Sequence, residues 1–142
     1  NIGLFINENE LFTGTVYENI CMGRTDISST NIIQLAAQVG IDKFIEQLPE
    51  GFNTMVDAGG KKLSNSVKYS ILMLRALTAN PQLLILDEPW KNFDERVQEK
   101  LVQYLTSSNN KATVIMTGHN KYMNKNASQI LHLVNGKLTS NG

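Results

Sequence analysis

The sequence predicts an α/β fold with parallel strands, and three observations carry that prediction. Residues 83–86, Leu-Leu-Ile-Leu, are an apolar run without polar alternation, the pattern of a strand buried on both faces of a parallel sheet. Residues 113–116, Thr-Val-Ile-Met, read as a second buried strand ending at Gly118-His119. Between them, residues 94–104 place Val97, Leu101 and Tyr104, followed by Leu105, at helical intervals. Strand, helix and strand make one βαβ unit, because parallel neighbours need a long crossover.

The remaining elements follow from local pattern. Residues 3–6 are a short apolar strand that ends in the polar loop Asn7-Glu8-Asn9-Glu10, before Leu11-Phe12. From Ser28 the spacing becomes helical: Ile32, Ile33, Leu35, Ala36 and Val39 fall at helical intervals, the Ser-Ser-Thr-Asn cluster offers an N-cap, and Gly40 supplies a stop. A short helix over residues 42–47 ends before Pro49, and a loop over residues 50–62 holds Gly51, Gly59 and Gly60. Residues 66–79 carry Ile71, Leu72, Leu74 and Leu77 at helical period and stop at Asn80-Pro81. Near the end, residues 130–134 and 137–139 flank Asn135-Gly136, the strongest two-residue hairpin signal in the chain.

Composition excludes several classes. At 142 residues the chain has the length of one ordinary domain, and an apolar share of 42% is enough for a packed core, which argues against disorder. Thirteen basic residues balance thirteen acidic ones, so no electrostatic case for a nucleic-acid partner arises. The single Cys21 makes no internal disulfide and anchors no zinc site, and a reducing compartment is expected. The aliphatic run over residues 83–86 is far short of the roughly 20 residues that cross a bilayer. Because Asn1 falls in what reads as the middle of a strand, with no initiator Met and no signal-peptide pattern, the chain is expected to be an excerpt of a longer protein.

Chemistry concentrates at the ends of the two predicted strands. A buried strand that ends in Asp87-Glu88 is costly unless a cation or hydrogen bonds compensate the desolvated charge. A magnesium nucleotide is the economical answer, with Asp87 holding the metal directly or through water and Glu88 acting as base toward an attacking water. The structural alternative is a helix-capping Asp beside a surface Glu. His119 ends the neighbouring strand, where open α/β sheets bind ligands, and an imidazole there can donate to a terminal phosphate; alone it is more often a polar loop residue, and its pairing with the carboxylates reverses that. Ser64-Asn65-Ser66 open directly into a helix, whose N-terminus is either an anion site or an ordinary capped end. His132, inside the later strand, carries no such suggestion.

Taken in order, these pieces resemble the nucleotide-binding domain of ATP-binding cassette (ABC) transporters of the exporter type. Residues 11–20, Leu-Phe-Thr-Gly-Thr-Val-Tyr-Glu-Asn-Ile, are similar to the segment after the Q-loop, and Gln47-Leu48-Pro49-Glu50-Gly51 to the stretch before the signature. Leu63-Ser64 open the signature, Leu74-Arg75-Ala76-Leu77 resemble the helix after it, and residues 81–89 the Walker B strand. Asp94 matches the D-loop aspartate and Thr117-Gly118-His119 the switch histidine. The resemblance implies a partial P-loop NTPase (RecA-like) core with an inserted ABC helical subdomain. Residues 13–80 would form that subdomain with the signature, and residues 81–142 the core from Walker B onward.

It further implies an ATPase that uses ATP and Mg2+, closes as a pair of nucleotide-binding domains, and drives a transmembrane domain from the cytoplasmic face of the cell membrane. Each nucleotide would lie between one domain's phosphate loop and the other's signature. On this reading Asp87 serves magnesium, Glu88 polarises the water, His119 contacts the γ-phosphate, and Ser64, with Asn65 and Ser66, reaches the partner's nucleotide.

Departures from the family pattern carry their own expectations. No G-x-x-x-x-G-K-[ST] occurs, so the phosphate loop is expected upstream and the excerpt alone is expected to be inactive. The Q-loop position is Asn7, which keeps an amide toward nucleotide and metal but is one methylene shorter than Gln. Where the family has Leu-Ser-Gly-Gly-Gln this chain has Leu63-Ser64-Asn65-Ser66-Val67, and a Cβ at either glycine position is expected to obstruct both close approach to phosphate and positive φ. Met55 and Ala58 stand where exporter cassettes often carry glutamates, and Trp90-Lys91-Asn92-Phe93 replace small D-loop residues. This pattern suggests asymmetry: a competent site that uses a partner's signature, and a degenerate signature offered in return. Two rivals share the Walker B strand and His119. A soluble ABC protein of the DNA-repair or ribosome-associated kind is opposed by the segment 11–20 and by the balanced charge, and a cassette that has lost hydrolysis and serves as a regulatory or dimerisation module is favoured by the degenerate signature but opposed by Glu88 and His119.

Overall fold

A computed structural model describes residues 1–6 and 10–141 of the chain. Strand β1 (Ile2–Phe5) leads, after a loop, to the two-residue strand β2 (Gly14–Thr15) and helix α1 (Val16–Cys21). Helices α2 (Ser29–Val39) and α3 (Lys43–Glu46) follow, then strand β3 (Met55–Val56) and the long helix α4 (Asn65–Thr78). Strand β4 (Leu83–Leu86), helix α5 (Glu95–Thr106) and strand β5 (Thr113–Met116) form the βαβ unit expected from the spacing. Helix α6 (Lys121–Asn126) and a hairpin of β6 (Ile130–Val134) and β7 (Lys137–Asn141) complete the chain.

The strands β1, β4 and β5 form one parallel sheet in that order, with Leu4, Ile85 and Ile115 in register across it. Both crossovers advance in the same direction across the sheet, and the right-handed rule then puts α4 and α5 on the same face. Phe5, Leu84 and Leu86 on that face are buried with Ile71, Leu72, Met73 and Leu74 of α4 and Leu101 of α5. The opposite face differs from the expectation of a strand buried on both sides. Leu83 and Ile85 are only half-buried, and Ile2 and Ile115 are more than half exposed, at 59% and 54%. An uninterrupted apolar run signals two faces that can be buried, but burial of the second face requires a further layer.

Helix ends obey local chemistry. Ser28 caps α2 in a reciprocal capping box with Asn31, and Gly40 ends that helix in the left-handed conformation. The Ser64 hydroxyl accepts from the Val67 N–H at 3.3 Å, so α4 starts at Asn65, one residue before the expected start. Apolar periodicity gives no sign of helix α1, because its six residues are less than two turns. Its signal is the Thr15…Glu18 capping box, in which each side chain meets the other's backbone N–H. The loop over residues 50–62 contributes β3, which pairs antiparallel with β2.

Sheet and helix approach closely at Gly3. A Cβ there would lie 2.4 Å from the Ala76 carbonyl oxygen of α4 and 2.9 Å from Leu84 Cδ1. Backbone inside a helix yields little, so Gly3→Ala is expected to destabilise the fold by about 1–3 kcal/mol, the range of overpacked cores. A lower thermal midpoint of the intact protein checks this; an unchanged midpoint would mean that β1 can lift from α4 at no cost.

Candidate functional site

Ladder geometry brings the expected strand ends together. The Asp87 N–H donates to the Phe5 carbonyl at 2.7 Å and the Thr117 N–H to the Leu86 carbonyl at 2.9 Å, so β1, β4 and β5 end side by side. Asp87-Glu88 and Thr117-Gly118-His119 therefore start from adjacent positions on one edge of the sheet. The Thr117 hydroxyl joins them: it donates to Asp87 Oδ1 at 2.5 Å and accepts from the Glu88 N–H at 3.1 Å. Residue spacing alone offers no signal for this role of Thr117, since its partners lie 30 and 29 positions away.

Backbone conformation turns the chain sharply after the acid pair. Glu88 has φ 43° and ψ 51°, a left-handed conformation that a non-glycine residue rarely adopts. Pro89 follows in a short 3₁₀ turn over Pro89–Asn92, and Pro89 and Trp90 are buried. Gly118 has φ 110°, and a Cβ there would lie 3.4 Å from the Trp90 ring and 3.5 Å from Glu88 Cα. Glycine thus lets the chain that carries His119 run against the turn that carries Glu88.

Asp87 and Glu88 are half-buried, and His119 is exposed. The Glu88 carboxylate forms an ion pair with Lys91 one turn on, and the hydrogen bond and charge of Glu88 hold the Lys91 ammonium above its ordinary pKa. With Lys91 65% exposed, the pair adds little stability. It does place a cation on the carboxylate assigned to water activation, a feature without a signal in the sequence.

Asp94 and the Ser64–Ser66 segment belong to the starts of two helices. Asp94 caps α5, its carboxylate accepting from the Val97 N–H at 2.9 Å. Ser64, Asn65 and Ser66 are exposed at the start of α4. Ser66, Asn92 and Asp94 line a cleft of about 240 Å³, so the signature position and the turn after Walker B face one space. Neither Asn65 nor Ser66 has positive φ. The expected demand for a left-handed backbone does not arise there, because both residues are already in α4. Asn7 lies outside the described residues.

The donor set fits a magnesium triphosphate better than a metal cage. Magnesium keeps several waters and takes one or two carboxylates plus substrate phosphates. Among the described residues no group of three or more His, Cys, Asp or Glu side chains gathers to hold an ion, whereas an acid pair at the carboxyl end of a parallel strand meets that smaller need.

The parallel sheet thus carries an acid pair at the end of one strand and a histidine just past the end of the next, in an α/β fold. No protein-family model matches the chain. The chain is 33% identical over 141 residues to ABC transporter B family member 13 of Arabidopsis thaliana, covering 99% of this chain and 11% of that protein. It is 30% identical over 141 residues to the fatty acid ABC transporter ATP-binding/permease protein of Mycobacterium bovis, covering 99% and 22%. The structure of a bacterial Atm1-family ABC exporter with ATP bound superposes with a TM-score of 0.82 at 29% identity, covering 96% of this chain and 24% of that one. The chain belongs to the ABC transporter ATP-binding family, and its fold is that of an exporter's nucleotide-binding domain. It spans between about a tenth and a quarter of these proteins' own length.

Proposed function

We propose that the chain is part of the ATP-binding and ATP-hydrolysing domain of an ABC exporter and powers transport across a membrane. The observation that carries the reading is the juxtaposition of Asp87-Glu88 with Thr117-Gly118-His119, bound through the Thr117 hydroxyl. Asp87 would hold magnesium, which when bound neutralises charge on the phosphates. Glu88 orients and deprotonates the attacking water, and His119 donates to the terminal phosphate. Thr117 keeps Asp87 and the Glu88 backbone in fixed relation. A phosphate-binding loop with its lysine comes from a segment outside residues 1–142, so these residues do not hydrolyse ATP alone. Asn7 would serve nucleotide and metal through its amide, and Asp94 would serve the nucleotide at the domain interface.

The partners in this reading are a second nucleotide-binding domain and a transmembrane domain. One relative's name joins ATP-binding and permease functions in a single protein. No helix among the described residues is long and apolar enough to cross a membrane, so the attachment to the cytoplasmic face would run through that transmembrane domain. ATP turnover by the intact protein, compared with its Glu88→Gln variant, tests the assignment.

Ser64, Asn65 and Ser66 offer the partner's nucleotide a weakened signature. Lost charge-assisted hydrogen bonds cost about 1.5–3 kcal/mol each. Asn65→Gly with Ser66→Gly and Val67→Gln is therefore expected to raise hydrolysis at the partner's site about tenfold or more, read by single-turnover trapping at each site. Equal hydrolysis at both sites before substitution would count against the asymmetry.

A further inference from the structure

Two buried or half-buried amides outside this reaction scheme connect its two halves. Asn120 directly follows His119 and is 5% exposed. Its Oδ1 accepts from the backbone N–H groups of Tyr122 and Met123 at 2.9 and 3.0 Å, capping α6. Its Nδ2 donates to Gln98 Oε1 at 2.9 Å. Gln98, on the first turns of α5, donates from Nε2 to the carbonyls of Trp90 at 3.2 Å and Phe93 at 2.8 Å. Carbonyls only accept and backbone N–H groups only donate, so the partners dictate which way each amide points. The result is a directed chain from the loop that carries His119, through α5, to the turn between Glu88 and Asp94.

We propose that Gln98 and Asn120 are positioning residues for ATP hydrolysis: their bridge sets the His119 loop against the Glu88–Asp94 turn, so that a shift in one is carried to the other. The inference rests on the assignment of Glu88 and His119 above. If the bridge is cut, the Phe93 carbonyl and the Asn120 amide group lose partners in a poorly hydrated place, and the loops rearrange rather than leave them unpaired. A displacement of about 1 Å between a base and a phosphate donor is enough to slow chemistry strongly.

Two substitutions separate the bridge from simple helix capping. Asn120→Asp keeps the oxygen that caps α6 but turns a second carboxylate oxygen toward Gln98 Oε1, and Gln98→Leu cuts the bridge from the other side. In the intact protein each is expected to lower kcat for ATP hydrolysis about tenfold, with KM within about twofold and no further loss in the double variant. Each is also expected to speed amide hydrogen exchange in both residues 90–93 and residues 117–123, the segments at the two ends of the bridge. Exchange that rises only beside the substituted residue, or kcat losses that multiply in the double variant, would overturn the proposal. Glu88→Gln measured in parallel keeps the two readings apart: intact hydrolysis in that variant refutes the functional assignment, while the exchange pattern judges the bridge by itself.

Discussion

Glu88→Gln is expected to lower ATP turnover by the intact protein at least about 100-fold, the low end of what a positioned general base contributes. ATP binding should stay within about twofold. Glutamine keeps the size of the side chain and leaves the left-handed backbone at this position as it is, so the turn into Pro89 survives. What disappears is the negative charge and the ability to take a proton from water. The Lys91 ion pair is lost as well, but both partners are substantially exposed, so the domain's stability should barely change. Steady-state hydrolysis and equilibrium ATP binding, measured on the same preparation, check the outcome. Hydrolysis within twofold of the parent would remove Glu88 from the chemistry.

Arg75→Met is expected to destabilise the domain by about 3–5 kcal/mol, because three charge-assisted hydrogen bonds are lost, two of them to the buried Asn19. Arg75 Nε donates to the Asn19 carbonyl at 2.7 Å, Nη2 to Asn19 Oδ1 at 3.0 Å, and Nη1 to the Glu10 carbonyl at 3.1 Å. Asn19 is fully buried. Its Oδ1 also accepts from the Phe12 N–H at 3.0 Å, and its Nδ2 donates to the carbonyls of Phe12 and Thr15 at 2.9 and 3.0 Å. The arginine thus ties the segment 10–20 to α4, and burial pulls its pKa below the ordinary guanidinium value. For a domain of this size the loss corresponds to a fall in thermal midpoint of roughly 6–12 °C or more, at about 2–4 °C per kcal/mol. Arg75→Lys should recover little, since one ammonium cannot span the Asn19 and Glu10 oxygens together. A drop of less than about 2 °C in Arg75→Met would show that water replaces the guanidinium without penalty.

Legibility in the sequence followed the range of the interactions. Helices α2, α4 and α5 announce themselves through helical periodicity, α2 and α4 also through Ser28 and Ser64 at their starts, and strands β4 and β5 through short apolar runs without polar alternation. Helix α1 and the β2–β3 pair are too short for periodicity, and the pair exists only because residues 14–15 meet residues 55–56. In the site, the acid pair was legible because two carboxylates after an apolar run need compensation. The hydroxyl of Thr117, the ammonium of Lys91 and the amides of Gln98 and Asn120 were not, because ordinary polar residues signal nothing until folding gives them partners.

The sequence by itself determined the βαβ unit, the starts of α2, α4 and α5 to within a residue, and the types of side chain at the strand ends, since each depends on neighbours within a few residues. Tertiary structure alone decided which face of the sheet is covered and how the two strand-end loops are joined. Those outcomes depend on contacts between segments distant in the chain, such as Gly3 with Ala76, Asp87 with Thr117 and Gln98 with Asn120, where the deciding quantity is a separation in space that no local pattern records.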